Sequence, residues 1–221
     1  QLQSSAASDV YKRQGISFQS FKLDMRKYQM INRDNSLAGR LYFGSSTGRN
    51  PSRFFLGGMQ NWMAGSGTTN GIEDGSRSRY GFLDSNNESL LQDLYLSELV
   101  WPMRGARYGE RYGTNVLLMN FEYRFPLIKY LVTGPLVLGN ILGHIFVDVG
   151  AAWDDPKEFT DISALRNKYG DVSNNFSPWV RSIGYGIKLP IILPWRIEAA
   201  YDWTESGFSK PQWYISIGFD W

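Results

Sequence analysis

Alternating apolar and polar residues predict that the chain ends in a β-strand. From Gln212 to the C-terminus, every second residue is large and apolar, and the intervening residues are small or polar. The apolar set is Trp213, Ile215, Ile217, Phe219 and Trp221. A period of two places the two sets on opposite faces of a strand. A strand of about ten residues that is apolar on one face and rich in aromatics is typical of a membrane-spanning β-strand.

The same alternation predicts six more strands upstream. They lie at about 16–31, 37–44, 117–125, 144–153, 180–188 and 195–203. Each has one largely apolar face and one polar or glycine-rich face, as expected of a wall between lipid and a polar lumen. The residues expected to share the outer face are Leu117, Met119, Phe121, Ile145, Val147, Ile183, Ile197, Tyr201, Ile215, Ile217 and Phe219. Pro126 is expected to end the third strand, since proline cannot donate to a ladder.

The predicted connections differ sharply in length. Long polar loops at about 45–113 and 154–177 alternate with tight turns at 32–35 and 190–194. If the C-terminus is periplasmic, the long loops share one side and the tight turns the other, as in outer-membrane barrels. Short helices are expected at 89–99 and 162–168.

Composition narrows the class of protein. The chain has 221 residues, 15% of them aromatic, with 23 Gly and a mean hydropathy of −0.33, which does not indicate a helical membrane protein. It has no Cys, which removes disulfides and thiolate metal sites, and a net charge of +2 gives no case for nucleic acid.

Little in the sequence suggests catalysis. His144 is the single histidine, and the patterns of nucleophile triads, metal sites and phosphate loops are absent. Glu198 and Asp202 share a strand face with Arg196, which we interpret as ion pairing in a polar lumen rather than as a catalytic pair. The sequence predicts neither an enzyme nor a cofactor.

The first fourteen residues are treated separately. Residues 9–14 look like the conceptual translation of a transposon end used in sequencing libraries. We therefore expect residues 1–14 to be read-through, residues 15–221 to be the C-terminal part of a barrel, and the native protein to continue upstream.

Several weak motifs occur in a specific order. They are Arg53-Phe54-Phe55-Leu56-Gly57-Gly58, Met103-Arg104-Gly105, the segments 120–127 and 146–153, and Gly218-Phe219-Asp220-Trp221. From about Ser36 onward the chain resembles the bacterial surface antigen family, the BamA/TamA-type barrels that insert or translocate proteins at the outer membrane. The resemblance implies a sixteen-stranded barrel whose sixth extracellular loop folds back into the lumen. It also implies that the alternating residues of the terminal strand form an insertion signal.

The resemblance assigns a loop anchor. Arg104, followed by Gly105, would be the loop arginine, and Glu122 and Asp148 its lumenal acids. The chain departs from the family pattern at Ala106, where an aromatic is expected. It also has a long insertion between Gly58 and Arg104. Both acids alternate with apolar residues, so both should point inward, where one guanidinium could satisfy two carboxylates. Alternatively, both acids merely face lumenal water.

The resemblance implies a non-enzymatic barrel, integral to the bacterial outer membrane, for protein insertion or translocation. Its implied partners are outer-membrane lipid, the missing N-terminal half of the barrel, client outer-membrane proteins, and periplasmic or lipoprotein partners. The alternatives are a membrane anchor or export barrel for an upstream soluble or enzymatic domain, and a passive channel. Seven strands are too few to close such a barrel, so we expect an all-β, open, curved antiparallel sheet. Its edges would be the strands 16–31 and 212–221.

Overall fold

The structure is a computed structural model, and its described residues form mainly β-strands and one short α-helix. It describes residues 17–60, 62–65, 96–133, 136–139, 141–170, 176–190, 193–204 and 207–218. The residues interpreted as read-through, 1–14, and the terminal Phe219 and Trp221 lie outside the described residues.

The strands carry labels in chain order. They are β1 (Phe18–Met30), β2 (Ser36–Gly48), β3 (Phe54–Leu56), β4 (Trp62–Gly65), β5 (Glu98–Val100), β6 (Arg111–Gly113), β7 (Asn115–Ile128), β8 (Leu131–Thr133), β9 (Leu136–Leu138), β10 (Ile141–Trp153), β11 (Trp179–Pro190), β12 (Pro194–Thr204), β13 (Gly207–Phe208) and β14 (Gln212–Ile217). A 3-10 helix covers Pro156–Phe159, and α1 covers Ile162–Tyr169.

The main sheet is antiparallel and open. Its strand order is β1-β2-β7-β10-β11-β12-β14-β4, with β13 paired beside β12. All seven predicted strands are present in the predicted order, which confirms an all-β, open antiparallel sheet. β1 is one edge, as expected. The expectation that 212–221 forms the other edge is wrong, because β4 pairs with β14 through Ile215 and Ala64.

The two faces of this sheet differ in exposure. Phe121, Val147, Ile183 and Tyr201 lie opposite one another in successive strands, and Phe121 is 57% exposed. We call this the open face. On the other side, which we call the covered face, Glu122 is only 2% exposed. The described members of the predicted outer set share the open face.

Small residues on the open face are shielded by their neighbours. Ala199 is fully buried although Ile197 and Tyr201, its neighbours on the same face of β12, are only half-buried. It lies opposite both Tyr185 and Trp213, whose ring centroids are 6.3 Å apart, so the two rings close over it.

Part of the long loop folds onto the covered face. Residues 51–60 and 96–113, which we call the inner layer, form a small sheet in which β3 pairs with β5 and β6. Phe54 and Leu56 belong to a buried cluster that also contains residues of the main sheet, which we call the wall. Wall glycines allow this approach, since a Cβ at Gly150 would lie 2.8 Å from Leu56 Cδ2.

The expected helix at 89–99 is wrong at its C-terminal end, although Leu96 has 3-10 helical conformation. Residues 89–95 lie outside the described residues, and Glu98–Val100 is strand β5. β5 pairs in parallel with β3, so hydrogen bonding to a distant segment decides its conformation.

Pro126 does not end its strand, because β7 continues to Ile128. Pro126 lies opposite Leu142, next to a register shift between Ile141 and Leu142. Proline is tolerated within a strand at such an irregularity, where the ladder is already interrupted.

The expected turn and second helix are present. Bends at residues 31–34 join β1 to β2. Asp161 caps α1 by accepting a hydrogen bond from the backbone N–H of Ser163, and Gly170, with φ of 85°, follows its last turn. Within the described part of the chain, no helix has the length and hydropathy needed to cross a membrane.

Candidate functional site

A tight turn of the inner layer carries Arg104 to the covered face. Just before it, Met103 forms a two-residue bridge with Gly58. Gly105 has φ of +84°, and a Cβ there would lie 3.1 Å from the Ser182 Cβ. Both the left-handed backbone and the close approach to the wall require glycine, which explains the Arg-Gly pair.

Arg104 makes a bidentate ion pair with Asp148. Its Nε lies 2.8 Å from Oδ2 and its Nη2 lies 2.9 Å from Oδ1. The backbone N–H of Arg104 also donates to Oδ2, at 3.2 Å. The Arg104 side chain is 1% exposed and that of Asp148 is fully buried. Paired, planar geometry of this kind gives the strongest and most directional carboxylate recognition.

Two further acids share the same guanidinium. Its Nη1 donates to Glu198 Oε1 at 2.9 Å and to Glu122 Oε2 at 3.4 Å. The Phe146 ring centroid lies 3.4 Å from the guanidinium carbon, so one face of the cation is stacked on an aromatic. Acids from β7, β10 and β12 therefore converge on one arginine.

Other side chains compensate the extra negative charge. Glu122 Oε1 accepts from Lys188 Nζ at 2.5 Å and from Arg124 Nε at 2.7 Å. Glu198 Oε1 lies 2.9 Å from His144 Nε2. Asn120 Nδ2 donates to Asp148 Oδ1 at 2.8 Å. Each acid thus has at least two contacts with donors, although both contacts of Glu198 are at Oε1 and its Oε2 has no hydrogen-bond partner among the described residues.

The environment keeps the arginine charged. Burial alone would lower the pKa of the Arg104 guanidinium, but Asp148, through its charge and hydrogen bonds, raises it. The charges of Glu198 and Glu122 act in the same direction. The net result is a pKa above the ordinary arginine value, so the cluster retains its central cation.

The terminal strand β14 holds the peptide groups of Gly105. The Gly105 N–H donates to the Tyr214 hydroxyl at 3.1 Å, and Gln212 Nε2 donates to the Gly105 carbonyl at 2.8 Å. The Tyr214 hydroxyl in turn donates to Gln212 Oε1 at 2.8 Å. The turn is therefore fixed by the wall on one side and by the last strand on the other.

Glycines on the covered face give the cluster its room. A Cβ at Gly184 would lie 2.3 Å from Phe146 Cζ, and a Cβ at Gly186 would lie 2.6 Å from His144 Cε1. Any larger residue at either position would displace an aromatic ring that contacts the cluster.

The structure brings Arg104, Gly105, Glu122 and Asp148 together. The predicted contact between the arginine and an inward acid is present, with Asp148 as the main partner. Their role as a functional loop anchor stays a prediction. Ala106, where the family pattern has an aromatic, is 6% exposed and belongs to the core of the inner layer.

Sequence reasoning missed part of the cluster. Glu198 was interpreted as a lumenal acid near Arg196, yet it contacts Arg104 and His144. The roles of Lys188 and Tyr214 were also not predicted. Alternation does place these residues on the covered face, and that was the available signal, but their partners depend on strand register.

The described members of the predicted insertion signal take no part in this site. Trp213, Ile215 and Ile217 lie on the open face of β14, opposite to Tyr214.

Comparison of the chain with protein-family models and with curated proteins found no match. The resemblance to the bacterial surface antigen family therefore stays a prediction from the motifs.

Proposed function

We propose that this chain forms the C-terminal part of a β-barrel in a bacterial outer membrane. We further propose that the barrel inserts or translocates proteins and has no enzymatic activity. The observation that carries the proposal is a wall with an exposed apolar face on one side and, on the other, a loop turn fixed through buried Arg104.

The open face supports the membrane part of the proposal. Phe121, Ile145 and Tyr185 are 57%, 51% and 46% exposed in adjacent strands. Monomeric soluble proteins rarely expose contiguous apolar patches larger than a few hundred Å². Exposure of such an apolar face to lipid, unlike exposure to water, carries no free-energy penalty.

The covered face supports an assembly role over a passive channel. A passive channel requires a continuous aqueous path along its lumenal wall. Here the inner layer covers that wall, and Phe54, Leu56 and Met103 are fully buried against it. A loop that several ion pairs hold against the wall shapes the inside of a barrel, and it would obstruct the free diffusion of solutes through a channel.

The edges of the sheet fit a part of a larger barrel. β1 is exposed along its whole length and has β2 as its strand neighbour among the described residues. In lipid, each unsatisfied backbone group costs several kcal/mol, so a membrane wall needs a partner strand at this edge. We propose that an upstream part of the barrel supplies the strand for β1 and competes with β4 for β14.

The test uses the full-length protein in lipid vesicles, with the folding rate of a client outer-membrane barrel as the readout. Wild type should accelerate client folding, and Arg104→Ala should abolish most of that acceleration while the protein itself remains inserted. Arg53→Ala is the matched control, because Arg53 is a more exposed inner-layer arginine, 3.4 Å from Asp154.

Two results would contradict the proposal. Client folding unaffected by wild-type protein would remove the assembly role. Rapid efflux of small solutes from the same vesicles, equal in wild type and Arg104→Ala, would instead favour the passive channel.

A further inference from the structure

Two cations of the described strands lie on the otherwise largely apolar open face: Lys27 on the edge strand β1, and Arg181 within the sheet on β11. Arg181, the third residue of β11, lies opposite Val149, which lies opposite Met119. Its neighbours on the same face of its strand are Trp179 and Ile183. Arg181 is half-buried, and within the part of the chain that the structure describes, nothing pairs with its guanidinium.

The arginines of the covered face are different. Arg40 donates to both carboxylate oxygens of Asp24, at 3.0 and 2.9 Å, and Arg124 donates to Glu122. A guanidinium among apolar side chains is costly unless an anion or water satisfies its donors. No carboxylate of the described residues pairs with Arg181, so its donors are open to water or to an anion from outside these residues.

The position of Arg181 along its strand indicates where that anion lies. β11 begins at Trp179, whose ring packs against Phe159, and the Phe159 ring packs against Trp153, with centroid separations of 5.8 and 5.3 Å. Aromatic clusters of this kind mark the interface of a membrane wall. Arg181 is two residues further along, about 7 Å by strand rise. If the wall spans a membrane, as proposed above, Arg181 lies within reach of the lipid headgroups.

An apolar groove begins beside this arginine. It has a volume of about 410 Å³, and its lining includes Leu37, Phe121, Ile145, Ile183, Tyr185 and Tyr201. Gly39 lies opposite Phe121 and has no side chain, so the surface of the open face is recessed at this point. Ile183 lines the groove and follows Arg181 by two residues on the same face of β11, so the cation lies about 7 Å along the strand from the groove wall.

We propose that the open face binds a lipid with an anionic phosphate headgroup. The phosphate pairs with Arg181, and one acyl chain lies in the groove. Guanidinium recognises phosphate through two parallel hydrogen bonds. A basic residue near an anionic membrane surface contributes ~1 kcal/mol, which corresponds to about a fivefold preference for the anionic lipid over a neutral one.

The test measures which lipids stay bound. Full-length protein is reconstituted in phosphatidylcholine vesicles containing a minor fraction of phosphatidylglycerol, extracted in mild detergent, and weighed with its bound lipids by native mass spectrometry. Wild type should retain phosphatidylglycerol with about a fivefold preference, and Arg181→Gln should lose that preference. Lys157→Gln is the matched control, since Lys157 is an exposed cation of the 3-10 helix after β10 and should leave the preference unchanged.

A second variant tests the groove. Ile183→Trp keeps the face apolar but fills the groove, and it should lower the number of retained lipids of both kinds. Excess inorganic phosphate should not displace phosphatidylglycerol from wild type, because the free anion lacks the chain. Displacement by phosphate alone would overturn the lipid assignment.

The outcomes separate this site from the proposed function. Protein that inserts into vesicles while Arg181→Gln keeps the wild-type preference overturns the lipid site alone. Wild-type protein that alkaline carbonate washes from the vesicles overturns both the membrane assignment and the site that rests on it.

Discussion

The open and covered faces of the wall come from one alternation but follow different rules. In β10, Ile145 and Val147 lie on the open face, and Phe146 and Asp148 lie on the covered face. On the open face, any apolar side chain of suitable size meets the requirement. On the covered face, identity matters, because each side chain has a specific partner from another element. The comparison shows that one periodic pattern can encode both a face that tolerates substitution of its side chains and a face that does not.

The largest effect is expected from removing the central cation. Arg104→Ala leaves Asp148 and two other buried acids without their shared partner, and should lower the free energy of unfolding by about 3–5 kcal/mol. Urea unfolding in lipid vesicles measures this. Arg53→Ala, with its more exposed 3.4 Å contact, should cost under about 1 kcal/mol. Equal losses in the two variants would show that the covered face is as tolerant as the open one.

A charge on the open face gives the next effect. If the sheet spans a membrane, as proposed, Ile145→Lys places an ammonium in the bilayer near the middle of β10 and should lower the free energy of unfolding in lipid by about 2–4 kcal/mol. Phe208→Lys, in the short strand β13 beside the loop end, should cost about 0–1 kcal/mol. The midpoints of urea unfolding in lipid vesicles compare the two variants. If Ile145→Lys were as stable as wild type, lipid would not be what the open face contacts.

The same substitution on the two faces isolates packing. Gly184→Ala places a Cβ 2.3 Å from both the Ala199 carbonyl oxygen and Phe146 Cζ, and should destabilise by about 1–3 kcal/mol. Gly39→Ala meets only Phe121 Cδ1 at 3.9 Å, and should be neutral or slightly stabilising, since alanine restricts the unfolded chain more than glycine. The sign of the difference in unfolding free energy is the result to record. A reversed sign would refute the tight approach of the rings to β11.

The smallest effect concerns one hydroxyl. Tyr214→Phe removes the acceptor of the Gly105 N–H and should cost about 0.5–1.5 kcal/mol. Tyr123→Phe is its counterpart on the open face, where the hydroxyl has no protein hydrogen bond in the described part of the chain. Amide hydrogen exchange at Gly105 should accelerate in Tyr214→Phe and stay unchanged in Tyr123→Phe. Unchanged exchange in both would mean that the terminal strand does not hold the turn.

The wall could be predicted from sequence because its rule is local. Strands of 11 to 14 residues, such as β7 and β10, repeat their alternation often enough to be recognised. β3, β5 and β6 have three residues each, too few to establish a period. β4 has four residues and is defined by its pairing with β14, which lies at the other end of the chain. Short strands that depend on distant partners leave no periodic pattern.

The cluster could be predicted only in part for a similar reason. Alternation and the Arg-Gly motif indicated that Arg104, Glu122 and Asp148 would face the same space. The contact of Arg104 with Glu198 spans 94 residues of chain, and the position of Glu198 beside Asp148 depends on the register of two strand pairs, β10–β11 and β11–β12. A shift of one residue in any pair would turn Glu198 to the open face. Sequence alternation states which face a residue takes, but it does not state its partner.

The contact between Gly105 and Tyr214 has a consequence for the order of biosynthesis. The two residues are 109 positions apart, so the turn is synthesised long before the hydroxyl that completes its hydrogen bonds. The hydrogen bonds that fix the peptide groups of Gly105 can therefore form only after β14 has been made and paired. Nascent chains released before Gln212 should keep the Arg104 turn accessible to protease, and chains released after Gly218 should protect it. Strand β14 thus decides when the peptide groups of Gly105 can be fixed.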